Sequence, residues 1–160
     1  MSNTINVDVF DSASMKRAIL ELQRRRSSQA SALKQTCMDL ASLGATRASL
    51  DYARTPYDGN KDVTVAVEDI PNGARIIASG ESVLFLEYGA GAKYGYGHPD
   101  PGAYGPGTFN PNSNNWQDPN GWYYAHGQKS WGNPPAAAMY NAKQVIKDRA
   151  ATINGVTIHD

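Results

Sequence analysis

A short apolar block and the stretch that follows it constrain this fold more than any other part of the sequence. The block, residues 82–88, reads Ser-Val-Leu-Phe-Leu-Glu-Tyr and stops at Gly89, which suits the positive φ of the position after a helix. We predict a buried two-turn helix over 82–88, although periodicity alone does not separate a helix from a strand over seven residues. The rest of the chain is expected to form the scaffold around this block.

The 47 residues 89–135 hold ten of the fifteen glycines and seven of the nine prolines, which predicts an extended loop without regular secondary structure. Disordered segments are poor in aromatic residues, whereas this stretch contains nine. We therefore expect a loop that is ordered against its own body or a neighbour, with its aromatic side chains at a partner surface. The aromatic residues are Tyr94, Tyr96, Tyr104, Phe109, Trp116, Trp122, Tyr123, Tyr124 and Trp131.

The N-terminal part of the chain shows two periodicities in succession. Residues 5–9 alternate apolar and polar side chains, which predicts a short half-buried strand. Asp11 and the serines after it offer helix-capping oxygens, and a helical apolar stripe then runs to Gly44, which predicts one long helix over 12–43. Such a helix is about 45 Å long, so its free length is expected to pack on another subunit or lie exposed. The stripe consists of Met15, Ile19, Leu22, Ala30, Leu33, Cys37 and Leu40, with Arg26 continuing the phase.

The middle of the chain contains the clearest strand pattern. Residues 45–55 fit either a short helix or a strand, and Pro56 ends them. Residues 62–79 alternate around valines and contain a Pro-Asn-Gly turn, which predicts a β-hairpin. Because a lone hairpin is marginal in water, we expect the long helix to cover one of its faces.

The C-terminal residues 136–154 repeat apolar side chains at helical spacing up to Gly155, which predicts a second long helix. Residues 156–158 are a candidate terminal strand. The whole chain, 1–160, is therefore predicted to be a single α+β domain. In it, a long N-terminal helix packs on a small antiparallel sheet, followed by the short central helix, the loop and the C-terminal helix.

The composition argues against several classes of function. Basic and acidic residues balance at fifteen each, which argues against a dedicated nucleic-acid or membrane-surface binder. Cys37 is the single cysteine, so neither a disulfide framework nor a cysteine-based zinc site is expected. The first residues lack a signal-peptide pattern, and no apolar run reaches the length of a membrane span. We expect a soluble protein made in the cytoplasm.

Three consecutive arginines, Arg24, Arg25 and Arg26, interrupt the stripe of the first helix. They are candidates for contact with phosphate or an acidic partner surface. They are equally typical of a solvated helix face whose stems cover apolar surface, and we favour that interpretation because no aromatic residues are interleaved with them.

The glycine-rich sequence 89–94, Gly-Ala-Gly-Ala-Lys-Tyr, does not fit a nucleotide site. A dinucleotide fingerprint needs a small residue where Tyr94 stands. A phosphate loop needs Ser or Thr directly after a Gly-Lys pair, whereas Lys93 lies between Ala92 and Tyr94. No cofactor is predicted.

Other chemistries find equally weak support. His98, Asp100 and His126 lack the spacing of a metal site, and we interpret them as turn and surface residues. Ser130 lacks a nucleophile motif. Glu87 is an acid in an apolar setting, where it is expected to pair with an arginine or cap a backbone group. Neither a catalytic residue nor a metal ligand is predicted.

The order of several short blocks carries a resemblance. The blocks are Val-Leu-Phe-Leu-Glu-Tyr-Gly-Ala-Gly over 83–91, His-Pro at 98–99, Gly-Trp-Tyr-Tyr over 121–124, and Gly-Asn-Pro followed by Met-Tyr-Asn-Ala over 132–142. Together with the long first helix and the valine-rich hairpin, they resemble the head–tail joining proteins of tailed bacteriophages and prophages, also called tail-completion, tail-terminator or neck proteins. The match covers most of the chain and departs where Pro-Ala-Ala-Ala replaces the family's usual Ala-x-Pro-Phe.

The resemblance implies a structural virion protein without enzymatic activity. It implies a ring, usually a hexamer, between the tail tube and the head connector, with DNA as passing cargo and no membrane partner. In that setting Glu87 and Tyr88 anchor the base of the loop. The candidate contacts with another subunit or partner are Glu87, Tyr88, Tyr94, Tyr96, Trp116, Trp122, Tyr123, Tyr124, Trp131, Arg24, Arg25 and Arg26.

Two other classes of function stay open. A Trp/Tyr/Asn-rich loop is typical of carbohydrate-binding modules, and a glycan-cleaving module would use Glu87 as its acid. A nucleic-acid binder would use the three arginines, and its affinity would fall steeply with salt.

Overall fold

The computed structural model describes residues 11–57, 59–71, 73–91, 97–100, 122–123 and 129–154. The described residues form an α+β fold, as predicted. The elements in chain order are α1 (Ser12–Arg54), β1 (Thr64–Ile70), β2 (Gly73–Ser79), α2 (Val83–Tyr88), β3 (Trp122–Tyr123), β4 (Lys129–Ser130) and α3 (Ala138–Asn154). The predicted strands at 5–9 and 156–158 lie outside the described residues.

Helix α1 begins where the sequence predicts. The Asp11 carboxylate accepts hydrogen bonds from the backbone N–H groups of Ala13 at 2.9 Å and Ser14 at 3.2 Å. These are the donors that an N-cap side chain satisfies. The helix then runs for 43 residues, about 65 Å at 1.5 Å per residue.

The predicted end of this helix at residue 43 is wrong, because α1 continues to Arg54 and includes all of the ambiguous residues 45–55 except Thr55. Gly44 is not the residue after a helix. A Cβ atom built there would lie 2.5 Å from Cδ1 of Ile146 and 2.8 Å from Cδ1 of Ile76. At Gly44, side chains of α3 and the hairpin therefore approach the backbone of α1 closely. The helix ends instead before Pro56, which disfavours helical backbone at the preceding residue.

The hairpin forms as predicted. Strands β1 and β2 are antiparallel, and Ile70 lies opposite Gly73 across the turn. The pairs Val65–Ala78 and Val67–Ile76 place four half-buried side chains on one face. Helix α1 packs on both strands, which confirms the expected cover.

The block at residues 82–88 forms a helix rather than a strand, with Ser82 at its N-cap. Two other details differ from the predictions. The stretch predicted to lack regular structure contains the short antiparallel pair β3–β4, and α3 begins at Ala138 rather than 136. Ala137, just before α3, has φ 46°, which lies outside the right-handed helical region.

The core lies beside the C-terminal half of α1. Its buried members are Ala48 and Tyr52 of α1, Leu86 of α2, and Ala138 and Ala142 of α3. We call residues 12–36 of α1 the projecting half and the described residues from 37 onward the body. In the projecting half, 20 of 25 residues are exposed, whereas the body contains all five members of this core cluster.

Candidate functional site

The centre of the body is the buried carboxylate of Glu87, which is 5% exposed. It accepts a hydrogen bond from the Tyr52 hydroxyl at 2.8 Å and lies 3.3 Å from Nε2 of His98. It also accepts backbone N–H groups of Met139 at 3.1 Å and Tyr140 at 3.4 Å. Four donors from three separate parts of the chain therefore converge on one acceptor.

The tautomer of His98 follows from its second nitrogen. The backbone N–H of Asp100 donates to Nδ1 of His98 at 3.0 Å, so Nδ1 carries no proton and Nε2–H donates to Glu87. The imidazole stacks at a tilt on Tyr88, with ring centroids 4.6 Å apart, and meets the edge of Tyr140 at 6.2 Å. This buried histidine replaces the surface turn residue that the sequence suggested.

Glu87 caps helix α3 from a distance. The residue before α3 is Ala137, which has no side-chain acceptor, and Met139 and Tyr140 carry the second and third N–H groups of the helix. An N-cap side chain normally accepts these donors, and a negative charge there also interacts favourably with the helix dipole. The expectation that Glu87 caps backbone groups is confirmed, and no arginine pairs with it among the described residues.

Tyr52 is held neutral in this network. Burial, followed by the adjacent Glu87 carboxylate, raises the pKa of the Tyr52 phenol well above its usual range. A neutral hydroxyl donating to a carboxylate is the stable arrangement. The donors to Glu87 come from α1, from His98 and from the start of α3, so the carboxylate joins α1 and α3 to α2. We call Glu87 with its donors Tyr52, His98, Met139 and Tyr140 the Glu87 clamp.

A second set of contacts closes the base of the loop. Ala90 and Asn133 exchange two backbone hydrogen bonds, at 3.0 and 3.1 Å, where the chain leaves and re-enters the body. Gly132 has φ 95°, and a Cβ atom there would lie 1.9 Å from the Ala90 carbonyl oxygen. Gly89 has φ 76°, which confirms its predicted positive φ. The two glycines let the backbone segments at Ala90 and Asn133 come into contact at the base of the loop.

The last carbonyl groups of α2 are satisfied by the returning chain. A short helix leaves these acceptors without partners, and here residues just before α3 supply the donors. The side-chain amide of Asn133 donates to Phe85 at 2.9 Å, the N–H of Ala136 to Leu86 at 2.7 Å and the N–H of Ala137 to Glu87 at 3.1 Å.

The other end of α2 is tied to the segment before the hairpin. The Asp62 carboxylate accepts the backbone N–H groups of Glu81 at 2.6 Å and Ser82 at 3.0 Å, and also the Ser82 hydroxyl. The Ser82 hydroxyl and these backbone donors lower the pKa of Asp62 to about 2. Asp62 is half-buried at the surface, where it tethers the start of α2.

An apolar groove of about 590 Å³ lies where α1, the hairpin and α3 meet. Leu40, Ile76 and Ile146 contribute to its floor, and Arg75 and Lys143 stand among its lining residues. The lining of the groove is therefore mainly apolar and includes basic side chains.

The predicted contact residues in and beside the loop fall into four groups. Glu87 is buried, and Tyr88 is half-buried against His98, so both lie at the base of the loop. Trp131 is 49% exposed beside the re-entry point. The third group, Tyr94, Tyr96, Trp116 and Tyr124, together with His126, lies outside the described residues. Trp122 and Tyr123 form β3, paired with Ser130 and Lys129.

The three arginines do not share one setting. Arg24 and Arg26 are exposed, whereas Arg25 is half-buried and donates through Nε to the Glu21 carboxylate at 2.9 Å. All three lie on the projecting half, away from the Glu87 network.

Sequence reasoning missed Tyr52, His98 and the capping role of Glu87 toward α3. Tyr52 lies 35 residues from Glu87, in a segment whose secondary structure was ambiguous, and Met139 lies 52 residues away. Two features of the sequence could have indicated the capping role. Glu87 is a single acid in an apolar block, and α3 follows two prolines without a capping side chain of its own.

The described part of the chain offers little for metal or membrane chemistry. It contains no group of three or more His, Cys, Asp or Glu side chains placed to hold a metal ion. None of its helices combines the length and the apolar character that crossing a bilayer requires.

Comparison with known proteins adds no relative. No family model, no curated protein and no solved structure matches this chain.

Proposed function

We propose that this chain is a structural subunit of a tailed-phage virion, a head–tail joining or tail-completion protein that assembles with copies of itself between the tail tube and the head connector. The order of sequence blocks at 83–91, 98–99, 121–124 and 132–142 supports the family. The virion is its proposed location.

The observation that carries the proposal is the projecting half of α1. It holds large apolar side chains on the outside of the protein, with Leu33 66% exposed and Leu22 57% exposed. An apolar stripe of this kind usually marks an interaction surface. Lys34 still pairs with Asp69 of the hairpin, and residues 12–33 before it form about 33 Å of helix, a length suited to reaching a neighbour.

The Glu87 clamp supports the same function. It fixes α2, the start of α3 and the base of the loop to α1, so that the loop leaves from a rigid platform. A structural ring subunit requires such a platform, because its loop must be presented in the same place by every copy.

The direct test deletes the gene in a phage or prophage that carries it. We expect full heads and separate tails in electron micrographs and a collapse of the infectious titre. A plasmid copy of the wild-type gene should restore joined particles, whereas the same plasmid with an early stop codon should not. Normal virions from the deletion strain would overturn the proposal.

A further inference from the structure

We propose that the apolar groove is a strand-binding site and that residues 155–160 of the same chain, Gly-Val-Thr-Ile-His-Asp, dock in it beside β2. These residues follow directly on α3 and lie outside the described part of the chain. The docking concerns the groove alone, so it does not depend on the proposed function and stands or falls whatever the deletion phage shows.

The groove runs along the outer edge of β2. Its lining includes the consecutive residues 73–76 of β2 but only Ile70 of β1. Consecutive residues of a strand point to opposite faces, so a groove that touches all four follows the edge of the strand rather than one face. In its sheet, β2 pairs with β1 on one side. The groove borders the other side.

This edge presents backbone groups that need partners. Alternate residues of an antiparallel strand direct their N–H and C=O groups away from the paired strand. Within the described ranges, no backbone hydrogen bond joins Gly73–Ser79 to any element other than β1. An extended segment added to the edge satisfies such a row of donors and acceptors. It also protects the edge against pairing with other chains.

Helix α3 carries the chain back toward the start of the groove. The side-chain amide of Asn141 donates to Asp51 at 2.8 Å, whereas Ile146, five residues later, contacts α1 at Gly44. Helix α3 therefore runs antiparallel to α1. Its last residue, Asn154, lies about 12 Å past Gly44 in the direction of the projecting half.

Strand β2 begins near that level of α1. A Cβ atom built at Gly73 would lie 3.9 Å from Sγ of Cys37, and Ile76 reaches Gly44. Cys37 precedes Gly44 by about 10 Å along the helix. A chain that turns back at Gly155 therefore enters the groove beside Gly73 and runs parallel to β2. Glycine permits the backbone angles of such a turn.

The side chains of the segment suit an extended conformation in an apolar groove. Val156 and Ile158 are apolar, and a strand places them on one face with Thr157 on the other. The apolar face would cover the floor at Leu40 and remove its surface from water.

The charge of the segment complements the groove. Arg75, Lys143 and Lys147 belong to the lining, and none of the lining residues that the structure describes is acidic. Asp160 lies about 17 Å beyond Gly155 in an extended chain. Lys143 lies the same distance, about 17 Å, before the end of α3. The carboxylate and the ammonium group are therefore at the same level, which fixes the direction of the segment.

The predicted strand at 5–9 cannot take this place in its own chain. Its residues lie within six positions of Asp11, which allows a reach of about 21 Å. Asp11 is about 39 Å from Cys37 along α1. The segment that follows α3 is therefore the one that reaches the groove.

The test is hydrogen–deuterium exchange of the full-length protein, followed by mass spectrometry of the peptides that cover β1 and β2. Ile158→Asp places a charge on the face that meets the groove, whereas Thr157→Asp places the same charge on the opposite face. We expect Ile158→Asp to speed the exchange of β2 by about tenfold or more, because amides at its outer edge lose their acceptors. Thr157→Asp should stay within about twofold of the wild type.

Strand β1 is the internal reference, since it contributes only Ile70 to the groove. Its exchange should stay within about twofold of the wild type in both variants. Equal rates of β2 exchange in the two variants would overturn the proposal, as would faster exchange of both strands. The protection of β2 should be the same at micromolar and millimolar protein, because the segment belongs to the same chain. Protection that appears only at high concentration would mean that another copy supplies the strand, and it would overturn the proposal as well.

Discussion

The two halves of α1 share one continuous backbone and differ in what surrounds them. From residue 37 onward, the buried positions of the helix are Ala41, Gly44, Ala45, Ala48 and Tyr52. The first four are small residues on one face of the helix, and they let α3 and the hairpin approach closely. Tyr52 then reaches past them to the Glu87 carboxylate.

The projecting half buries almost none of its apolar side chains. Ala18 is the one buried residue among the 25, while Ile19, Leu20, Leu22 and Leu33 are all more than half exposed. The apolar period runs through both halves, with Arg26 in place of an apolar residue at one step. Periodicity therefore identifies a face of a helix, but it does not show which part of that face the rest of the chain covers.

The largest expected effect compares the body with the projecting half of α1 through one substitution in each. Glu87→Ala leaves the Tyr52 hydroxyl, the His98 ring and two helix N–H groups without their acceptor. We expect it to lower the free energy of unfolding by about 3–5 kcal/mol, because several buried donors lose their hydrogen-bond acceptor at once. Urea denaturation followed by circular dichroism measures this loss.

The control is Glu21→Ala on the projecting half, which removes the half-buried Glu21–Arg25 pair at the helix surface. We expect a change of about 0.5 kcal/mol or less, as for other surface ion pairs on helices. Equal losses from Glu87→Ala and Glu21→Ala would show that the two halves do not differ in the way their surroundings indicate.

Tyr52→Phe tests one donor of the network. It removes the 2.8 Å hydrogen bond to Glu87 and keeps the ring. We expect a loss of about 1.5–3 kcal/mol at neutral pH, the range for a hydrogen bond to a charged group.

The same variant also changes the alkaline behaviour. The pKa of Tyr52 is raised in the folded protein, whereas an unfolded tyrosine titrates near pH 10. The stabilising contribution is therefore complete below about pH 10 and declines above it, as the unfolded chain releases a proton that the folded protein retains. The free energy of unfolding of Tyr52→Phe should therefore fall less steeply above pH 10 than that of the wild type. Equal slopes above pH 10 would contradict the raised pKa of Tyr52.

An alanine-to-leucine exchange compares packing in the two halves directly. Ala48 is fully buried, so Ala48→Leu should force its neighbours apart and cost about 1–3 kcal/mol. Ala30 lies on the same helix but is exposed, and Ala30→Leu should change stability by about 0.5 kcal/mol or less. Thermal unfolding of the two variants measures both effects, and similar melting temperatures would remove the distinction between the halves.

The parts of the fold that depend on local chemistry were predictable from the sequence. The Asp11 cap, the alternating hairpin at 62–79 and the positive φ of Gly89 each follow from a residue and its immediate neighbours. Gly44 was misread because the usual rule for a glycine after a helix is local, whereas the space it leaves is filled by Ile146 and Ile76 from distant segments.

The site was less predictable for the same reason. Glu87 was identified as an acid in an apolar setting, and its capping role was one of two expectations. Its partners Tyr52 and His98 could not be derived, because nothing in their local sequence marks them as neighbours of Glu87. Long-range polar networks are specified by the packing of elements, and a single sequence shows the elements but not their contacts.

The smallest expected effect concerns two carboxylates that accept backbone N–H groups where a helix starts, one on the body and one at the tip of the projecting half. Asp62 holds the start of α2 through Glu81 and Ser82, and these donors lower its pKa to about 2. An unfolded aspartate titrates near pH 4. The contribution of Asp62 is therefore complete above about pH 4 and is lost as the pH falls toward 2. Asp62→Asn should have a lower melting temperature than the wild type at pH 6, and the difference should shrink between pH 4 and pH 2.

Asp11→Asn is the matched change at the tip, where Asp11 caps α1 beyond the reach of the core cluster. A helix end that frays without disturbing the body does not shift cooperative unfolding. We therefore expect Asp11→Asn to keep the wild-type melting temperature at pH 6. If the tip cap mattered as much as the body cap, the two halves of α1 would unfold as one unit, and the projecting half would have to be stabilised by contacts with the body.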